Sequence, residues 1–304
     1  SSSSNSYCFT HFINLDSSSI LIHFLGQTLA QIPHPLQTSK SVSFLLAISF
    51  LVFVSFCALF ADVLAPYSLG ESNITQQLCP ISSQHLLGCD TYGADVLSQL
   101  LYGARVSLTI SFFVVSFTTV LGCFLGAIAA FFGGVIDRLI LQTTEVFMAF
   151  PGILLLLCLS SLMEMNLILL ALTLSFTGWV GTARIVRGEL LKCREYDYIM
   201  AARALGLSRF RIILFYLLPN IYPPVLVTAT FGISGIIITE ATLSFLGLGP
   251  QNTPSWGVLI NQGRSVLNEA PSLSLLPGLC IFLLILSVNI LGERMRVRFW
   301  EGES

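Results

Sequence analysis

Glu145 and Glu240 are the two carboxylates that fall inside long apolar runs of this sequence. A charge buried in such a run marks a functional site by default. Glu145 lies about 10 Å into its run, counting ~1.5 Å per residue from Asp137. It reads as an interhelical or interfacial group before a pathway-facing one. Glu240 sits near the end of its run beside "SFLGLG" and reads as a helix-end structural residue. Neither has a second carboxylate at helical spacing, so paired acid–base chemistry is not supported. Pro151, in the same run as Glu145, predicts a kink that could serve as a hinge. Glu145, Pro151 and Glu240 are therefore candidates for a pathway or structural role.

The remaining reactive side chains are more easily dismissed. None of the eight cysteines forms a CxxC, so a zinc or iron–sulfur site is not expected. Cys57, Cys123, Cys158 and Cys280 lie in apolar runs as small packing residues. Cys79 and Cys89 share a polar loop, where a disulfide would persist if the loop faces an oxidising compartment. Spacing supplies no bond geometry, and two free thiols are the favoured reading. All four histidines (His11, His23, His34 and His85) lie in the first third of the chain, and no HExxH occurs. Neither lysine, Lys40 or Lys192, closes a GxxxxGK[ST] phosphate loop, so nucleotide hydrolysis is not encoded here.

The elements that carry these residues are membrane spans. The 304-residue chain is 54% hydrophobic and 10% charged, with net charge −2, and its mean hydropathy is +0.83. A soluble domain carries about 25% charged residues, and the net charge makes no case for nucleic acid. Runs long enough for the ~20 residues of a spanning helix predict six spans, at about 41–65, 105–131, 138–163, 165–186, 219–246 and 272–294. With both termini cytoplasmic, all of the 14 basic residues except Arg105 and Arg264 fall on the cytoplasmic side, as the positive-inside bias requires. The outer loops are then about 66–103, which is acidic (Glu71, Asp90, Asp95), and 249–272. Residues 1–40 are polar and low in complexity and have no basic residue before Lys40. They read as a weakly ordered extension rather than a secretory signal.

The largest cytoplasmic loop, about 187–218, contains "YIMAARALGLSRFRIILFYLLPN" from Tyr198. Arg203, Arg209 and Arg211 prevent it from crossing the bilayer, since each charge at a helix centre costs about 2.5–3.5 kcal/mol. Ala201, Ala202, Arg203, Ala204 and Leu205 favour helix, and Gly206 is a C-terminal stop. Ile199, Ala202 and Leu205 at i, i+3 and i+6 predict one small apolar face. From the residues alone, a docking helix and a plain connector are equally supported.

The stretch resembles the EAA loop of ABC-importer permeases. Ala201 and Ala202 match the paired alanines, Gly206 has the right spacing, and Leu218-Pro219 closes the pattern. Met200 replaces the glutamate, leaving Glu195 or Asp197 as substitutes, and Tyr216 stands where a branched residue is usual. "LLGCDTYGADVLSQLLYGARVSL" from Leu86 is similar to the segment before the second span of dipeptide, oligopeptide and nickel permeases. It keeps Gly88, Asp90, Gly93 and Asp95, with Cys89 and Ala94 as departures. "GGVIDRLI", "AFPGILLLL", "GWVGTARIVRGELL", "TEATLSFLGLGPQNTPSWG" and "NILGERMR" resemble the same family, so the likeness runs collinearly from about 41 to 300. The chain is identified as a C-type permease subunit of that family.

The resemblance implies an all-α fold of six membrane helices of the type I importer permease class, in the bacterial cytoplasmic (inner) membrane. It implies no catalysis and no cofactor in this chain, with ATP and Mg held by two partner ATPase subunits. A second, B-type permease would complete the path, and an extracytoplasmic binding protein would deliver short peptides; nickel or a metal chelate is the alternative cargo. Glu195, Tyr198, Ala201, Ala202, Arg203, Ala204, Leu205 and Gly206 would then form the coupling helix that docks on an ATPase subunit. Outside the family, a secondary transporter or channel, an intramembrane enzyme and a purely structural subunit are the rival readings, each with less support in the residues.

Overall fold

A 37-residue helix, Val96–Phe132, forms the longest element of the chain. The computed structural model describes residues 35–149, 152, 154, 157, 158, 162, 166–250 and 253–301. Residues 1–45 and 46–304 form two units. The packing described below lies within the second. Helices are α1 (Pro35–Leu59), α2 (Ala61–Leu64), α3 (Val96–Phe132), α4 (Gly134–Ala149), α5 (Leu167–Cys193), α6 (Asp197–Ala204), α7 (Arg209–Ile212), α8 (Leu218–Phe245), α9 (Trp256–Ser265) and α10 (Ser272–Glu301). Among the described residues there is no strand, only an isolated bridge between Cys89 and Asp95.

Five of these helical stretches are long and apolar enough to cross a membrane: Ser41–Leu59, Val96–Phe132, Leu167–Cys193, Phe215–Phe245 and Ser272–Phe299. The run expected as the third span, 138–163, is described mainly through α4. Pro151 lies outside the described residues, as does the tail up to residue 34.

Two boundaries differ from the sequence expectation for physical reasons. α3 begins at Val96 rather than near 105, because Asp95 caps it, accepting from Ser98 N at 2.8 Å. Arg105 is accommodated inside the helix because its guanidinium reaches the end of α1. It donates to Ala58 O at 2.8 Å and Leu59 O at 3.1 Å, and pairs with Asp62 at 2.9 Å. Those carbonyls belong to the last turn of α1 and lack helical donors, so a cation is favourable there. α5 runs on to Cys193, past the expected end near 186, and carries Arg187 and Lys192 in its final turns.

Side-chain size sets the closest packing. On α3, a Cβ at Gly122 would lie 2.6 Å from Thr182 Cβ, and one at Gly126 would lie 2.5 Å from Ala183 O. α3 and α5 therefore meet backbone to backbone, the arrangement that small residues permit between membrane helices. α8 lies against α3, α5 and α10, with Ser234 donating to Asn289 of α10 at 3.0 Å.

Candidate functional site

At the end of the bundle rich in arginine, α5 runs into α6 through a short turn. Ile199 N and Met200 N donate to Tyr196 O at 2.9 and 3.1 Å. Gly206, at φ +77°, ends the helix in a left-handed conformation that glycine adopts without penalty. Leu207 N then returns to Ala202 O at 3.2 Å, the six-to-one bond that satisfies an orphan carbonyl at a helix end.

That geometry splits the residues expected to couple. Ile199 (0% exposed) and Ala202 (4%) insert into a cluster with Val186, Leu190 and Cys193 of α5 and with Ile212, Leu217 and Ile221. Ala202 therefore anchors α6 to its own chain rather than facing a partner. Leu205 does not continue that stripe: it lies beyond the last helical residue and is 83% exposed. Glu195, Tyr198, Met200, Ala201, Ala204 and Gly206 are exposed as well. Arg203 is placed by its backbone on α6. A tie that the sequence did not reveal comes from Asn220 on α8, whose Nδ2 donates to Tyr198 Oη at 2.9 Å and Tyr216 O at 2.5 Å. Tyr196, Tyr198, Met200, Leu205 and Phe215 are exposed apolar and aromatic side chains of this segment, and the rings of Tyr196 and Tyr198 lie 5.7 Å apart. The segment is therefore anchored through Ile199 and Ala202 and open through these side chains, which suits contact with another protein better than covalent chemistry.

Glu145 is exposed on α4, and no interhelical hydrogen bond to it is found among the described residues. Glu240 is the opposite case. It is 1% exposed and accepts from Ser107 Oγ at 3.2 Å and Ser244 Oγ at 2.8 Å.

The other end of the bundle is built from the loop before α3 and from α9. Cys79 and Cys89 form a disulfide with Cα atoms 4.9 Å apart, which corrects the expectation of two free thiols. The pairing follows from the loop's own backbone: Cys89 N donates to Cys79 O at 3.1 Å and Leu78 N to Asp90 O at 3.0 Å, so the two strands of the loop already run side by side. Asp90 and Asp95 serve this local structure. Asp90 accepts from Tyr92 N and Ala94 N, each at 2.8 Å, and from Gln99 Nε2 at 2.5 Å. Asp95 caps α3 and lies 3.0 Å from Nδ1 of His85, whose ring stacks on Tyr67. Cys79, His85 and Cys89 bring donor atoms within 4.8 Å of one another, but the bond between the two sulfurs removes both thiolates as ligands. A cavity of about 600 Å³ opens here, with Tyr67, Glu71, Asp90, Gln99, Asn261 and Gln262 in its lining.

Residues 100–300 match the family described as binding-protein-dependent transport system inner membrane component. The chain is 36% identical over 240 residues to the dipeptide transport system permease protein of Alkalihalophilus pseudofirmus, covering 79% of each chain. It is 37% identical over 216 residues to the glutathione transport system permease protein of Pectobacterium atrosepticum, covering 71% of this chain and 72% of that one. Its fold is similar to a chain in a solved structure of the MetNI methionine ABC transporter in inward-facing conformations. That match has a TM-score of 0.56 at 20% identity and covers 66% of this chain and 95% of the other.

Proposed function

The chain belongs to the family of binding-protein-dependent transport system inner membrane components, and from that premise we propose that it is one of two permeases lining the path of an ATP-driven importer of di- or oligopeptides. The relatives named for dipeptide and glutathione transport favour a peptide cargo over nickel or a metal chelate. In this reading the chain is a non-catalytic subunit of a bacterial cytoplasmic (inner) membrane complex. Both termini and α6 are cytoplasmic, and the disulfide loop faces outward. A B-type permease completes the path, a binding protein delivers substrate, and ATP with Mg²⁺ is handled by two ATPase subunits.

The observation that carries the reading is the two-sided character of α6. Ile199 and Ala202 lock it to α5 and α8, while Tyr198, Met200, Ala201, Ala204 and Leu205 stay open. A helix held in this way transmits a push from a docked subunit into the spans instead of absorbing it. Met200, where the family carries glutamate, makes the contact apolar, and Glu195 remains exposed nearby to supply a carboxylate.

The test is the assembled complex in proteoliposomes. Uptake of a labelled dipeptide should require ATP and the binding protein, and a cysteine at Leu205 should cross-link to an ATPase subunit. Uptake without ATP would sink the importer reading, and failure of the Leu205 cross-link would sink the docking of α6.

A further inference from the structure

Glu240 remains without a task in this account. Its carboxylate is an expensive group to keep in a span, and replacing a buried polar group by a well-packed apolar one is often neutral or stabilising. Stability alone therefore does not explain it, but its partners do. Ser107 belongs to α3, Ser244 to the next turn of α8, and Ser255 is the residue that caps α9, accepting from Val258 N at 3.3 Å. Ser255 is fully buried and donates to Ser244 Oγ at 3.4 Å, which in turn donates to the Glu240 carboxyl. One carboxylate thus joins two spans directly and, through Ser244, the start of α9.

The seam around it is tight. A Cβ at Gly257 would lie 2.6 Å from Ser244 Cβ and 2.7 Å from Ala241 O. Trp256, 2% exposed, donates its Nε1–H to Leu100 O at 3.0 Å. α9 in turn supplies a wall of the cavity through Val258, Asn261 and Gln262, and Ser244 is also in the lining. At its opposite end, α8 is tied to α6 by the Asn220–Tyr198 hydrogen bond and by Ile221 in the cluster that holds Ile199 and Ala202. A single helix, Leu218–Phe245, therefore connects the exposed face of α6 to the wall of the cavity.

We propose that Glu240 is a positioning residue that ties α9 to α8, so that displacement of α6 reshapes the cavity at the far end of the bundle. This rests on the importer reading above. A serine-bonded carboxylate suits the task because it fixes the hydroxyls of Ser107 and Ser244, and through Ser244 that of Ser255, whereas apolar packing would allow α9 to slide.

The experiment uses the full complex in nanodiscs, with Asn261→Cys introduced into a chain whose other accessible thiols are removed. The labelling rate of this cysteine is measured with and without nucleotide trapped by vanadate. Trapping should change the rate at least about fivefold, within the usual range for coupled sites. Glu240→Leu should abolish that dependence while basal ATPase activity persists, and Glu240→Gln, whose amide oxygen still accepts from serine, should retain most of it. Ser255→Ala, which removes only the cap hydroxyl, should weaken the dependence and serves if Glu240→Leu does not assemble. Full nucleotide dependence in Glu240→Leu or Ser255→Ala overturns the proposal. So does a labelling rate indifferent to nucleotide in a complex that transports peptide. A complex with Glu240 intact that does not transport peptide overturns the importer reading instead.

Discussion

Arg187 on α5 closes on Asp137 at the start of α4 with two parallel hydrogen bonds, Nε to Oδ1 at 2.5 Å and one terminal NH₂ to Oδ2 at 2.6 Å. The pair fixes α4 against the last turns of α5, just before the chain enters α6. The guanidinium holds the Asp137 carboxyl below the usual carboxylate range. With the folded value depressed, the pair's contribution is complete above the ordinary value of about 3.9 and is lost as the pH falls through the lower folded value. Asp137→Asn should therefore lower stability at neutral pH by about 1 kcal/mol, the upper end for an ion pair with solvent access. The gap in thermal midpoint between the two proteins should close on acidification through the carboxylate range. A gap that persists unchanged in acid would show that the pair is not its source.

Burial separates Ala202 on α6 from Leu205 just beyond its end. Ala202→Leu should destabilise the protein by about 1–3 kcal/mol, the usual cost of overpacking a core, because its site is filled by Val186, Leu190 and Ile221. Leu205→Ala should leave the fold intact and weaken ATPase-stimulated transport. Denaturation in detergent and a transport assay on the same preparations separate the two effects. Equal stability losses would show that α6 does not sit as described.

The Cys79–Cys89 bond should leave neither residue open to alkylation until a reductant is added. Cys79→Ser with Cys89→Ser should destabilise the loop by up to about 3 kcal/mol, the scale for closing a short loop. Limited proteolysis between residues 79 and 89 reports the change. Quantitative alkylation of both cysteines without reductant would refute the pairing.

The helical architecture was legible in hydrophobic run length, and the short helix α6 in the helix propensity of Ala201, Ala202 and Ala204 before the stop at Gly206. The orientation of individual side chains was less so. The i, i+3, i+6 pattern of Ile199, Ala202 and Leu205 assumed a helix long enough to include all three. It held for the first two and failed at Leu205, because the stop at Gly206 ends the helix at Ala204. The helix start at Val96 was hidden by Arg105, whose charge looked like the edge of a span. Its partners, Ala58 O and Leu59 O, lie 47 and 46 residues away. The same distance problem concealed the site around Glu240. Ser107 is separated from it by 133 residues, and a serine carries no signal of its partner in the sequence.

The seam between α3 and α5 gives a paired prediction on two glycines. A Cβ at Gly126 would lie 2.5 Å from Ala183 O and 3.0 Å from Val186 Cβ, whereas one at Gly181 would meet nothing within 4 Å. Gly126→Val must push α3 and α5 apart along a contact where neither backbone can yield alone, at a cost of at least about 2 kcal/mol. Gly181→Ala adds a methyl in open space and removes the helix penalty of glycine, so it should stabilise by up to about 1 kcal/mol. Because α5 leads directly into α6, the Gly126 variant should also lose cross-linking from Leu205→Cys in whatever fraction remains folded, while the Gly181 variant keeps it. Thermal unfolding with in-gel cross-linking of the same samples tests both parts. If Gly126→Val and Gly181→Ala behave alike, the close approach of α3 and α5 is not what holds α6 in place.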